Sequence, residues 1–169
     1  MTIKIGDTLP AGTMTESVGY DDGKNCPMPP QPVDIAAFAA GKKIVIFGLP
    51  GAFTPTCSSA HVPGYLKNLD ALKGKGVDAV VCMAVNDGYV MGAWGRTQGT
   101  EGKIRMLGDG SAAFTRALGL ELDLTAKGMG VRCQRFSLLV DNGVVKQVNV
   151  EGVGPANCSF AENMLAQLG

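Results

Sequence analysis

The chain has 169 residues, 46% of them hydrophobic and 18% charged, with 15 basic side chains balancing 15 acidic ones. That length suits one domain, spanning 1–169, with a core of its own, and that composition excludes a disordered chain. Zero net charge without a basic block argues against a phosphate-binding surface as the main function, so no nucleic-acid partner is expected.

The chain opens with a β-rich approach that runs to about Thr15. Residues Asp21–Pro32 are polar, hold four prolines and Cys26, and read as a surface loop. Asp34 is placed to cap a short helix through Ala39, stopped at Gly41. Lys43–Leu49 is a continuous apolar run of the kind a buried central strand presents on both faces. The turn-rich segment Pro50-Gly-Ala-Phe-Thr-Pro-Thr-Cys57 follows. Ser58–Lys73 then has helical periodicity, with Tyr65, Leu66, Leu69 and Leu72 on one stripe and a kink expected at Pro63. Val77–Val85 reads as a second buried strand. Asp87–Arg96 reads as a helix with Tyr89, Val90, Ala93 and Trp94 inward. Lys103–Leu107 is a short strand, and Ala112–Leu118 a helix ended by Gly119. Arg135–Val140 and Val144–Val150 flank Asp141-Asn142-Gly143, a hairpin signal. Ser159–Leu168 closes the chain as a helix, with Ser159 as N-cap and Glu162 completing a capping box.

Alternating strands and helices followed by a hairpin imply an α/β protein, a mixed central β-sheet with helices on both faces in a thioredoxin-like layout. The apolar stretches near residues 43–53 and 77–85 are far below the ~20 residues that span a bilayer. The N-terminus lacks the long apolar run of a secretory signal. The expectation is a soluble, cytoplasmic protein with no membrane association.

Five cysteines are scattered through the chain: Cys26, Cys57, Cys82, Cys133 and Cys158. An odd set without a signal peptide does not read as a disulfide framework. No pair forms Cys-x-x-Cys, and one histidine with wide cysteine spacings gives no zinc site, so neither metal nor cofactor is expected. Two glycine strings, Gly74-x-Gly76 and Gly108-x-Gly110, read as turns, because neither has the strand, helix and downstream acid of a dinucleotide site.

Cys57 sits where a loop becomes a helix. Free cysteine titrates near 8.5, so a reactive thiol needs nearby positive charge or hydrogen-bond donors. A helix start offers unpaired N–H groups and the positive end of the dipole. Thr54 could aim its hydroxyl at the sulfur or at a ligand bound beside it, and Pro50 fixes the backbone there. Taken alone, this fits a buried structural cysteine as well as a reactive one. His61, four residues on, shares the helix face with Cys57 and fits either a polar neighbour of the pocket or packing near Pro63.

The spacing Pro50-x-x-x-Thr54-x-x-Cys57 resembles the active-site signature of peroxiredoxins. Gly48-Leu-Pro-Gly-Ala-Phe-Thr-Pro-Thr-Cys-Ser58 with His61-Val-Pro-Gly64 resembles their type II, peroxiredoxin-5-like branch. The likeness continues through Val85-Asn-Asp87, Ala93-Trp-Gly95, Leu118–Asp123 and Gln134-Arg-Phe136, and leaves out the Asp21–Pro32 loop. The resemblance implies a thiol peroxidase acting on hydrogen peroxide and organic hydroperoxides. In it, Cys57 attacks the O–O bond and becomes a sulfenic acid, and Thr54 and Arg135 hold the peroxide and the thiolate. Arg132 is a rival for the arginine role; in an extended strand it would point away from Arg135. The resemblance also implies Cys82 or Cys158 as resolving cysteine, with direct attack by an external thiol as a third route. Thioredoxin, glutaredoxin or glutathione would be the reductant, and the protein would be a homodimer. Cys133, two residues from Arg135 and expected on its strand, reads as packing. A stoichiometric redox sensor and a non-catalytic thioredoxin-fold interaction module are the rival functions.

Overall fold

The computed structural model describes residues 1–152 and 156–169. In chain order its elements are β1 (Thr13–Glu16), β2 (Tyr20–Asp21), β3 (Cys26–Pro27), β4 (Gln31–Asp34), α1 (Ile35–Ala39) and β5 (Lys43–Gly48). A π-helical turn (Cys57–His61) follows, then α2 (Val62–Lys67), α3 (Leu69–Gly74), β6 (Ala79–Ala84), α4 (Gly88–Gln98), β7 (Arg105–Gly108) and α5 (Ala113–Leu118). The chain ends with β8 (Glu121–Leu124), a 3-10 turn (Thr125–Lys127), β9 (Gly130–Cys133), β10 (Phe136–Asp141), β11 (Val144–Val150) and α6 (Ala161–Gln167).

Seven strands form one mixed sheet in the order β11-β10-β5-β6-β7-β1-β4. The two continuous apolar runs, β5 and β6, lie parallel at its centre. Alternation sends their side chains to opposite faces. Val45, Phe47, Val80 and Cys82 enter one core, with Tyr65, Leu72, Met91, Trp94 and Met164 from α2, α3, α4 and α6. Ile44, Ile46, Val81 and Met83 enter the other, with Ile35 from α1 and Phe114 and Leu118 from α5. Helices therefore cover both faces, as the alternating pattern implied.

The Asp34 side chain caps α1 by accepting from Ala37 N–H. The β10–β11 hairpin turns on Asn142 (φ 47°) and Gly143 (φ 76°), both left-handed as a tight type I′ turn requires. Several expectations are corrected. The Asp21–Pro32 segment is not all loop: it holds most of the β2–β3 hairpin and the start of β4. Its Pro32 is tolerated because β4 is an edge strand. In α4 the buried side is Met91 and Trp94, and Tyr89 points outward at 49% exposure, so the stripe is rotated from the expected one. The helical stretch after Cys57 is broken at Asn68, between α2 and α3, while Pro63 sits in the first turn of α2. The β8–β9 hairpin had no counterpart in the sequence reading. The last helix starts at Ala161 with Phe160 as N-cap, and the expected capping box does not form: Glu162 accepts instead from the Asn68 amide.

One close approach positions the site. Gly48 ends β5 directly opposite Phe136, the first residue of β10. A Cβ at Gly48 would lie 2.1 Å from the Phe136 ring, so only glycine lets the buried ring lie across the strand. This pairing sets Arg135 beside the loop that leaves β5.

Candidate active site

The loop from Leu49 to Thr54 is pinned at two backbone points. Ala52 N–H donates to Asn86 Oδ1 at 3.0 Å, and the Thr54 hydroxyl donates to the Gly51 carbonyl at 2.7 Å. Phe53, beside Thr54, is held at φ 61° and is 57% exposed, an uncommon conformation for an aromatic residue. Pro55 begins the helix, where its missing N–H costs nothing. The first helical hydrogen bond is Ser58 N–H to Thr54 O, at 3.0 Å. The N–H groups of Thr56 and Cys57 precede it and have no carbonyl of the helix to bind.

The next turn is wide: Val62 N–H donates to Cys57 O, five residues back. Pro63 gives the local reason, because it has no N–H to offer the Ser59 carbonyl four residues earlier and its ring crowds that carbonyl. The widened turn places Cys57 and His61 on the same side. Both are 1% exposed.

A single guanidinium spans them. Arg135 donates from Nη2 to Cys57 Sγ at 3.3 Å and from Nη1 to His61 Nδ1 at 2.9 Å. Arginine can only donate, so Nδ1 is the accepting nitrogen and the imidazole proton lies on Nε2. That proton is directed at the Ser159 carbonyl, 3.2 Å away, which also accepts from Tyr65 OH at 2.8 Å. His61 is walled by the rings of Phe47, Tyr65 and Phe160. Burial in that wall, then the charge of Arg135, lowers its pKa from 6.5 to about 3. His61 is therefore a neutral hydrogen-bond bridge and not a base, which favours the polar-neighbour reading over simple packing.

A stability prediction follows from the same burial. Between pH 6.5 and about 3 the unfolded chain carries a proton on His61 that the folded chain refuses. The unfolded state then binds more protons, so stability falls as pH drops through that window. The urea midpoint should decline from about pH 7 to about pH 4, less steeply in His61→Asn. Equal slopes would remove His61 as the cause.

The remaining predicted residues separate. Arg132 is not on the sulfur: it donates to Met129 O at 2.8 Å and to Pro50 O at 3.3 Å, bracing the half-buried Pro50. Arg135 lies in the link between β9 and β10, so it and Cys133 do not share a strand as expected. Cys133 ends β9 on the opposite side of the sheet from Cys57, its thiol donating to Leu49 O at 3.0 Å, with burial pushing it up to about 12. Thr54 sends its proton to Gly51 and not to the sulfur, so it presents lone pairs. Cys82 is fully buried in β6, on the Cys57 side, and burial, then the charge of Cys57, pushes its thiol well up. Cys158 is half-buried; burial, then a hydrogen bond to Glu151, raises it to about 11. Of the glycine-rich stretch 151–157 that precedes it, residues 153–155 lie outside the described part. All five cysteines are free thiols. Among the described residues, no group of His, Cys, Asp and Glu could hold a metal ion.

The sequence reading missed Ser159 as a partner of His61, and Glu151, whose carboxylate accepts from both Ser159 N–H and Ser159 Oγ at 2.7 Å. The available signal was an acidic residue directly after an apolar strand, which is a weak one.

Comparison with known proteins gives the family. A family model described as Redoxin matches residues 4–165. Peroxiredoxin-2D of Arabidopsis thaliana is 45% identical over 98% of both chains. A structure of reduced Prx3 from Vibrio vulnificus in complex with hydrogen peroxide is 45% identical, with a TM-score of 0.89 over 99% of this chain and 100% of that one. Peroxiredoxin 5 from Alvinella pompejana is 34% identical, with a TM-score of 0.83 over 98% of this chain and 97% of the other. Likeness that runs so evenly from end to end, in sequence as in backbone, means that the chain belongs to the Redoxin family, in its type II peroxiredoxin branch.

Proposed function

We propose that Cys57 is the peroxide-attacking thiol of a thiol-dependent peroxidase that reduces hydrogen peroxide and organic hydroperoxides. The observation that carries this reading is the Arg135 Nη2–H donated to Cys57 Sγ at 3.3 Å, at a helix start with free N–H groups. A guanidinium donates directed hydrogen bonds and sets fixed positive charge beside the attacking sulfur.

In the first step the Cys57 thiolate attacks one peroxide oxygen and the O–O bond breaks. Sulfur is oxidised to sulfenic acid, and the second oxygen leaves as water or alcohol after taking a proton. Thr54 accepts the peroxide O–H, since its own proton is committed to Gly51. Arg135 and the Cys57 N–H face the charge that shifts along the O–O axis, and Pro50 shields the pocket wall. In the second step a thiolate attacks the sulfenic sulfur, releasing water and forming a disulfide. Burial of Cys82 and the hold of Glu151 on Cys158 favour an external thiol for this step. Thioredoxin, glutaredoxin or glutathione then returns the enzyme to its thiol form. A homodimer goes with this reading, because Phe53 sets an exposed apolar ring at the surface next to the site.

The test is steady-state peroxide consumption with each reductant supplied separately, beside mass spectrometry of the oxidised protein. Many peroxide equivalents per chain are expected, with Cys57 found as sulfenic acid or as a mixed disulfide with the added thiol. A stop at one equivalent would favour a stoichiometric sensor. A Cys57–Cys82 or Cys57–Cys158 peptide would overturn the external route.

A further inference from the structure

Arg135 is held at both ends by one residue. Its carbonyl accepts from Glu151 N–H at 2.9 Å, one step beyond the Phe136–Val150 pair that ends the β10–β11 ladder. Its side chain leads back to the same residue through His61 and Ser159. The Glu151 Oε1 atom takes two hydrogen bonds from Ser159, one from N–H and one from the hydroxyl, each 2.7 Å. With its amide and hydroxyl so fixed, the Ser159 carbonyl is turned towards His61 Nε2 and Tyr65 OH.

We infer that Glu151 is a positioning residue of the peroxidase site, acting through Ser159 and His61 to keep Arg135 aimed at the Cys57 sulfur. The inference rests on the peroxidase reading of Cys57. Its physical content is a tautomer lock. The Ser159 carbonyl is an acceptor, so it keeps the imidazole proton on Nε2. That leaves Nδ1 free to receive Arg135 Nη1. If the carbonyl drifts, the proton can move to Nδ1, where it would point at the guanidinium and turn an attraction into a clash of donors. Arg135 would then lose the contact that orients its second arm on the sulfur.

The Glu151 carboxylate suits the task. Burial opposes its ionisation, yet hydrogen bonds from Ser159, Cys158 and Asn157 hold it below the usual carboxylate range. It therefore accepts without donating at any neutral pH. Cys82 and Cys133 are the other ionisable groups near the sulfur, and burial keeps both as thiols, so neither competes with Arg135 for it.

Two rates test the inference: peroxide reduction, and alkylation of Cys57 by iodoacetamide, which needs no peroxide chemistry. Glu151→Ala should lower both about 10-fold, the worth of one charge-assisted hydrogen bond. Glu151→Gln keeps an oxygen that can accept both Ser159 donors and should restore both rates to within about 2-fold of the parent. In an Arg135→Gln background, Glu151→Ala should change neither rate further, because the relay then has nothing to aim. Should Glu151→Ala fail to fold, Glu151→Asp replaces it: the carboxylate is one methylene too short to reach Ser159 and should lose several-fold, by the same argument. Parent rates in Glu151→Ala at unchanged melting temperature would overturn the inference. So would a Gln variant as slow as Ala, or full additivity with Arg135→Gln. If the parent protein consumed no peroxide, the peroxidase reading would fail, while the alkylation cycle would still decide the role of Glu151.

Discussion

Cys57→Ser should abolish peroxide turnover, by a factor of at least about 10⁴, and leave the protein folded. The size of the loss follows from the chemistry. A hydroxyl does not ionise near neutral pH, and oxygen is a poor nucleophile towards the O–O bond. Neither Arg135 nor the helix start can supply what the sulfur provides. The fold should tolerate the change because serine is slightly smaller than cysteine and can accept the same Arg135 hydrogen bond. A peroxide assay with excess reductant, paired with thermal unfolding, checks both halves. Retained turnover in a folded Cys57→Ser protein would remove the nucleophile from this position and leave a non-catalytic thioredoxin-fold module as the better description.

The second large effect separates the two arginines. Arg135→Gln should lower kcat/KM about 10²–10³-fold, the range seen when a fixed donor to developing charge is removed. Arg132→Gln should cost much less. Arg135 donates one arm to Cys57 and the other to His61, so its loss frees the sulfur and leaves a neutral imidazole with an empty acceptor. Arg132 donates to the carbonyls of Met129 and Pro50 and reaches the site through the loop alone. Arg135→Lys should resemble Gln more than the parent, since one ammonium cannot serve sulfur and imidazole with the geometry of a planar fork. A larger loss at Arg132 than at Arg135 would reverse the assignment.

What could be read from the sequence divides along a physical line. The buried parallel strands β5 and β6 were legible because burial on two faces forces an unbroken apolar run. The Asn142-Gly143 turn was legible because left-handed backbone restricts residue choice. Cys57, Thr54 and Pro50 were legible because they lie within eight residues of one another. Tertiary competition was not legible. Ser159 has the sequence context of an N-cap, yet Glu151 draws its hydroxyl away, and Glu162 turns to Asn68. The direction of the Thr54 proton depends on the bend at Gly51, which no local pattern encodes. Tyr89 faces outward and Met91 inward because the phase of α4 is set by the sheet and by the β2–β3 hairpin beside it, not by periodicity alone. The relay from Glu151 to Arg135 joins residues from three separate stretches, and only folding brings them together.

The π-helical turn between Cys57 and His61 makes chain length there a constrained quantity. Ser59 is exposed, so side chains at that position can change at little cost. The number of residues cannot. The wide turn holds one residue more than an α turn, so deleting one residue between Cys57 and Val62 would close the Val62 N–H on the Cys57 carbonyl as an ordinary α turn and leave His61 three residues from the thiol instead of four. Arg135 would then have to span an i, i+3 pair in place of the i, i+4 pair it now joins, even with every named side chain still present. Along this stretch, insertions and deletions are therefore the lesions to watch when variants are ranked, ahead of any substitution at Ser59.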